Sequence, residues 1–326
     1  MRKSGVKVLL FILLVFVVLA IYTVWDNNRI KVLEQEIVID DLTEELEGFT
    51  ILQVTDLHEK EFGKNQEKLI KEINSLRYDA IVFTGDMLVS GLSENYHPYY
   101  TLIEGINNKE NALYIPGNSD PNNYEMPSEQ TFQNHDFIKG MEKRGVNLLE
   151  SIHSIKVGSA NVHFVDFELS IINPKRGFVI RGANANNASF AKHQQNLLNE
   201  ISFLNPSEDS NALIALNHYP IVDARINTIK NDPLYVFRDY DLIMAGHYHG
   251  GQYRLPFIGA FFVPEPYYEN SGLFPPKDRV KGLWEYEGTK QYVSAGLGSS
   301  KTISFLKFRL FNTPEINVLT LKKASE

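Results

Sequence analysis

Gly246-His247-Tyr248-His249-Gly250-Gly251 follows Asp241-Leu242-Ile243-Met244-Ala245, a short apolar run that reads as a buried strand. Residues i and i+2 of a strand face the same way, so an H-x-H pair at a strand end aims both rings at one point. Neutral imidazole is the commonest metal ligand, and flanking glycines let backbone and substrate approach with no Cβ in the way. Taken alone, the pair fits a polar loop feature equally well. The other strand ends decide.

Moving outward, Phe49–Val54 is a β-rich run ended by Thr55-Asp56-Leu57-His58. Asn65–Leu76 carries Leu69, Ile73 and Leu76 at helical spacing. Tyr78–Thr84 is a second buried strand, ended by Gly85-Asp86. Strand, helix, strand with a carboxylate at each tip is a βαβ unit presenting chemistry at its C-terminal edge. The pattern repeats with a helix at Tyr99–Ile106, a strand at Ala112–Ile115 and the loop Pro116-Gly117-Asn118-Ser119-Asp120. Phe137–Arg144 reads as a helix and Val146–Leu149 as a strand. Ile152–Val157 and Asn161–Phe167 form a hairpin about Gly158-Ser159. Phe190–Phe203 is a helix, and the strand Ala212–Leu216 carries Asn217-His218 at its tip. Gln252–Leu255, Tyr292–Ala295 and Ile316–Leu321 are strand-like. Residues 256–282, rich in Pro, Gly and aromatics, read as a long ordered loop near the site, with Phe261, Phe262 and Tyr267 expected to cover the core beneath it, the alternative being contact with acyl chains.

Asp56, His58, Asp86, Asn118, His218, His247 and His249 therefore stand together at strand tips. Each has an ordinary structural explanation by itself: a carboxylate caps a turn, an Asn supplies positive φ, a His sits satisfied in a core. The matched placement of all seven points to a metal site. The chain has no cysteine, so its ligands are His, Asp, Glu, Asn and water, a set suited to Mn, Fe, Zn or Mg.

Composition is that of a globular protein, 43% hydrophobic and 22% charged, with a formal net charge of −8. Such an acidic body disfavours a nucleic-acid partner or a nuclease role. Val8 to Trp25 is an uncharged apolar run about long enough to span a bilayer as a helix. Val18-Leu19-Ala20 resembles a processing site, but the apolar run continues past it, which favours an uncleaved anchor over a signal peptide. Arg2, Lys3 and Lys7 before the run place the N-terminus in the cytoplasm and the body outside. The expected organisation is a cytoplasmic tail at 1–7, a transmembrane anchor at 8–25, a linker and edge strand at 26–48, and one catalytic domain at 49–326.

The order D-x-H, G-D, G-N-x-D, H, G-H-x-H resembles the calcineurin-like metallophosphoesterases over roughly residues 49–300, and among them the bacterial membrane-anchored type. The resemblance implies an α/β fold: a four-layer sandwich of two mixed β-sheets flanked by α-helices, preceded here by the transmembrane helix. It implies two divalent metal ions (Mn, Fe or Zn), one held by Asp56, His58 and His249, the other by Asn118, His218 and His247, with Asp86 bridging. The implied reaction is hydrolysis of a phosphoester by water activated between the metals, without a covalent phospho-enzyme. Two positions depart from the family pattern. Val89 stands where many members have a second Asp. Ser119 stands where a His commonly acts as general acid with the acidic residue after it, here Asp120. A serine hydroxyl is far too weak an acid for that role, which counts against efficient cleavage of simple alkyl monoesters; the expected substrate is a diester, a pyrophosphate or a monoester. The expected partner is a phosphorylated small molecule or a lipid head group at the cell envelope. The competing expectation is a catalytically weak or inactive scaffold that keeps the fold for binding.

Overall fold

The computed structural model describes residues 2–176, 187–202, 204, 211–300 and 307–324. Helix α1 (Arg2–Asn27) leads into strand β1 (Lys31–Ile39). Strand β2 (Thr50–Val54), helix α2 (Glu67–Ser75), strand β3 (Ala80–Thr84), helix α3 (His97–Gly105) and strand β4 (Ala112–Ile115) follow in alternation. A hairpin of β5 (Tyr124–Ser128) and β6 (Thr131–Asn134) precedes α4 (Asp136–Glu142) and the short β7 (Asn147–Leu148). Next come β8 (Ile152–Val157), β9 (Ala160–Asp166), α5 (Phe167–Ser170) and α6 (Ala188–Ser202). They are followed by β10 (Asn211–Leu216), α7 (Asp223–Asn231) and β11 (Leu242–Ala245). The two-residue strands β12 (Arg254–Leu255) and β13 (Gly259–Ala260) pair with each other before β14 (Gly282–Tyr286), β15 (Thr289–Val293) and β16 (Glu315–Lys323).

Two six-stranded sheets carry the fold, in the orders β1-β16-β2-β3-β4-β7 and β14-β15-β11-β10-β9-β8. Both are mixed. In the first only β16 and β2 run antiparallel; in the second the two edge pairs do. The sheets pack face to face through Ile51, Val82 and Leu113 on one side and Phe164, Ile214 and Met244 on the other. The outer face of the first sheet is covered by Leu69, Ile73, Tyr99, Leu102, Phe137 and Met141 from α2, α3 and α4. Ile226 and Ile229 of α7 and Phe167 of α5 cover the second. Four layers result, as expected. The central strands are buried on both faces, which is why they read as unbroken apolar runs.

Several boundaries differ from the sequence reading. Lys31–Ile39 is the expected edge strand, β1, paired in parallel with β16 along its whole length, whereas Leu42 and Leu46 of the expected linker join Ile37 and Ile39 in the core. Only Arg254 and Leu255 of the expected strand 252–255 are extended, because His249 to Gln252 turns tightly around the site. The strand expected at 292–295 runs Thr289–Val293. Phe203, the expected end of the helix from Phe190, lies outside the described residues. The loop after β12 does not cover the core with the rings expected to do so. Phe261, Phe262 and Tyr267 are 43%, 46% and 68% exposed, and the core beneath is closed by Ala260 and Val263 instead.

Helix α1 includes one segment, Gly5–Asn27, long and apolar enough to cross a membrane, and its apolar stretch is not packed inside the protein. Its last turn is docked on the body. Asn27 and Arg309 exchange two hydrogen bonds, side-chain amide to backbone carbonyl and backbone N–H to side-chain oxygen, both 2.7 Å. Thr313 donates to the buried Asp26 carboxylate at 2.7 Å, and Tyr22 lies against Phe311.

Candidate metal centre

Parallel strands β2, β3 and β4 end at one edge of the first sheet, and β10 and β11 end at the matching edge of the second. The chain must turn sharply at each tip to bring its polar side chain into the gap. Asp56, His58, Asp86, His247 and His249 all do so with φ between 46° and 67°. Left-handed backbone costs a non-glycine residue about 1 kcal/mol or more, so the surroundings must fix it. Backbone bonds between tips do this: Asp56 N–H to Gly85 O, His58 N–H to Asp86 O, and Gly246 N–H to His218 O, each 3.0 Å. Two glycines are required by contact. A Cβ on Gly117 would lie 2.2 Å from Asp86 Oδ1, and one on Gly246 would lie 2.5 Å from Asp56 Oδ2.

The side chains meet in two overlapping groups, Asp56–His58–His249 and Asp56–Asp86–His218. His58 Nε2 is 3.3 Å from Asp86 Oδ2 and 3.2 Å from His249 Nε2, which in turn is 3.5 Å from Asp56 Oδ1. Across the site, His218 Nε2 is 3.5 Å from Asp86 Oδ1 and 3.3 Å from His247 Nδ1. Asp86 thus faces both histidine sets. Asn118 is exposed at the rim, its amide nitrogen 3.3 Å from Ser119 Oγ. Six of the seven expected residues therefore come together, and Asn118 lies beside them.

The second layer sets tautomers and angles. His58 and His218 point Nδ1 at the carbonyls of Leu88 (3.1 Å) and Thr84 (2.8 Å), which orients both Nε2 atoms inward. Burial pushes the Asp56 carboxyl up to about 7 and drives His58 down to about 4 and His247 to about 3. Burial also puts His249 well below the ordinary imidazole range. For Asp86 burial acts upward, but the neighbouring His218 outweighs it and leaves the carboxyl far below its usual range. Burial likewise disfavours the His218 cation, yet Asp86 holds it up to about 9. Three neutral imidazoles and an ionised carboxylate thus crowd one point. Among the described residues the buried Asp56 Oδ1 has no hydrogen-bond partner, and His249 Nε2 and His58 Nε2 face the same gap, where a cation would satisfy all three. The donor set, nitrogen and carboxylate without sulfur, suits a divalent transition metal.

Ser119 serves Asp86, with its N–H 2.7 Å from Oδ1 and its hydroxyl 3.0 Å from Oδ2. Both Asp120 oxygens are taken by backbone N–H groups: Oδ2 by Asp86 and Gly117, Oδ1 by Leu88. Burial, with Asp86 nearby, raises Asp120 to about 6.

Three residues absent from the sequence reading complete the frame. The Arg309 guanidinium is fully buried and binds the carbonyls of His249, Ala295, Gly298 and Asn312. Asn312 Nδ2 donates to His249 O at 2.6 Å. Gln53 Nε2 ties the sheets together below the site, donating to Thr84 Oγ1 and Ala245 O, both 2.9 Å. Gln53 had a local signal, a polar residue inside an apolar strand. Arg309 and Asn312 had none.

Over 305 residues the chain is 26% identical to the uncharacterized metallophosphoesterase YkuE of Bacillus subtilis, a match covering 92% of this chain and 88% of that one. It is 24% identical over 286 residues to the UDP-2,3-diacylglucosamine pyrophosphatase LpxG of Chlamydia muridarum, covering 84% of each. Among solved structures, the sulfate thiohydrolase SoxB of Thermus thermophilus aligns at 12% identity and a TM-score of 0.38, over 87% of this chain and 57% of that one. The sequence model of the calcineurin-like phosphoesterases spans residues 49–251 and takes in all seven strand-tip side chains, and this chain belongs to that family of phosphoric ester hydrolases.

Proposed function

We propose that this protein is a membrane-tethered phosphohydrolase that cleaves a pyrophosphate or phosphodiester of a lipid-linked or other cell-envelope substrate, with its body on the extracytoplasmic side. The observation that carries the reading is the meeting of Asp56, Asp86 and four imidazoles around a point where the buried Asp56 Oδ1 has no hydrogen-bond partner among the described residues. Asp56, His58 and His249 would hold one divalent ion, and Asn118, His218 and His247 a second, with Asp86 between them. Two such ions (Mn, Fe or Zn) would supply an activated water and neutralise the phosphoryl oxygens. The chain's own groups fix the geometry. Ser119 holds the Asp86 carboxylate by two hydrogen bonds, and Asp120 clamps the loops that carry Asp86 and Gly117. We assign Ser119 and Asp120 these positioning roles, in place of proton transfer to a leaving group. With no acid there, the leaving group must depart as a weak base, which a phosphate or an activated ester does and a simple alkoxide does not. The pyrophosphatase relative and the apolar helix α1 support a lipid-linked substrate.

Metal analysis of the full-length protein, together with hydrolysis of bis(p-nitrophenyl) phosphate in Mn²⁺, tests this reading. Bound metal with turnover is expected. Neither metal nor turnover would leave a binding scaffold. Ser119→His is expected to raise turnover of an alkyl phosphate monoester by about tenfold or more relative to p-nitrophenyl phosphate, whose leaving group needs little protonation. Equal changes for the two substrates would show that residue 119 has no bearing on the leaving group.

A further inference from the structure

Where α1 meets the body, a cleft of about 270 Å³ opens between the helix and Lys60, Ser299, Lys307 and Phe308. Thr23 and Val24 of the helix and the Phe308 ring form its apolar wall, and Lys60, Lys307 and Asn28 its polar one. The two lysines stand out in an acidic chain. The Lys60 ammonium donates to the carbonyl of Asn27 and lies 4.6 Å from the centre of the Phe62 ring. Among the described residues neither Lys60 nor Lys307 has an ion-pair partner. Arg29, by contrast, is already neutralised by Asp26 at 2.6 Å. The cleft thus offers one exposed cation, Lys307, and one partly buried amine, Lys60, whose pKa burial lowers to about 7, beside a strip of apolar surface.

Its position gives that combination a meaning. The membrane-length segment ends at Asn27, so Asn28, Lys60 and Lys307 lie at the depth of lipid head groups when α1 is inserted, with Thr23 and Val24 just inside the acyl region. The docking of Asn27 on Arg309 keeps the cleft at that level. Lys60 follows His58 by two residues, and Lys307 bears electrostatically on His58 and Glu59, so the same cleft borders the metal centre.

We infer that this cleft binds the phosphate-bearing head group of an anionic membrane lipid, the phosphate between Lys60 and Lys307 and the acyl chains along Thr23 and Val24 of α1. The bilayer is then the source of the ligand, which reaches the site by lateral diffusion along the anchor. The inference rests on the proposed hydrolase only in making such a lipid its substrate; the binding itself stands apart.

The test is native mass spectrometry of the full-length protein in detergent, titrated separately with phosphatidylglycerol, phosphatidylcholine and inorganic phosphate. One phosphatidylglycerol is expected to be retained in preference to phosphatidylcholine, with inorganic phosphate far weaker because it lacks the apolar wall. Lys307→Gln, at an exposed position, should weaken phosphatidylglycerol retention roughly fivefold, and Lys307→Arg should restore it. Lys60→Gln combined with Lys307→Gln should weaken it further. Equal retention of the two lipids, or a Lys307→Gln protein that binds like the wild type, would overturn the inference. Inorganic phosphate binding as tightly as the lipid would overturn the lipid assignment. These readouts need no turnover, so they fail independently of the bis(p-nitrophenyl) phosphate assay.

Discussion

Asp86→Asn is expected to lower hydrolysis by about a thousandfold or more and to abolish the stabilisation that Mn²⁺ gives the wild type. The two parts have one cause. Asp86 is the carboxylate that faces both halves of the centre, 3.3 Å from His58 and 3.5 Å from His218. An amide of the same shape keeps an acceptor for the Ser119 N–H at 2.7 Å. It replaces the negative charge with an N–H donor aimed at an imidazole lone pair. Without a cation that donor meets the His58 imidazole, but the ion pair that keeps His218 protonated is lost, so the apo protein is expected to be somewhat less stable than wild type. With a cation the same N–H points at positive charge, and the ion loses its shared anionic ligand. Thermal unfolding separates the effects. A ligand present at a hundred times its Kd adds about 2.7 kcal/mol to the native state. Wild type should therefore lose stability in EDTA and regain it in Mn²⁺, whereas Asp86→Asn should show much the same Tm in both. A variant that keeps both turnover and the Mn²⁺-dependent rise in Tm would remove Asp86 from the centre.

How far such a centre is legible in the chain depends on how local its causes are. The strand tips were readable because each ligand follows a run such as Ala80–Thr84 that is buried on both sides and therefore apolar throughout. The expected H-x-H convergence held in outcome but not in mechanism. His247 and His249 reach the two halves of the centre by left-handed turns at φ 67° and 50°, after β11 has already ended at Ala245. Elements held by tertiary contacts left weaker traces. Helix α7 carries only Ile226 and Ile229 as buried apolar residues, and the β5–β6 hairpin contains Pro127 and few buried side chains. Strand β14 buries only Trp284 and alternates with exposed residues beside a glycine, so it merged with the preceding loop. The long loop failed for a related reason. Its aromatic content is visible in sequence, but which rings turn inward is set by Ala260 and Val263 packing under it, while Phe257 stands 99% exposed at the turn.

Arg309 is the extreme case of a non-local cause, and Arg309→Met should produce the largest loss of stability. Its guanidinium has no exposure and makes four hydrogen bonds to backbone carbonyls: Asn312 at 2.8 Å, Gly298 and Ala295 at 2.7 Å, and His249 at 3.1 Å. Burial lowers its pKa to about 10, so it remains a cation at neutral pH. Methionine fills much of the volume and supplies no donor. Ala295 and Gly298 then face a dry interior with an unsatisfied carbonyl each, and His249 keeps only the Asn312 amide at 2.6 Å. Loss of several buried charge-assisted bonds at once costs about 3–5 kcal/mol, which corresponds to a Tm lower by roughly 5–10 °C in a chain of this size. The measurement belongs in EDTA, where metal affinity does not enter. Arg309→Lys keeps the charge but has fewer donors and no planar fork, so it should fall between the two. If Arg309→Met unfolds at the wild-type temperature in EDTA, the four carbonyls have other donors and Arg309 does not brace the His249 turn. If it unfolds early but binds Mn²⁺ as tightly as wild type, the brace supports the fold without setting the position of the His249 imidazole.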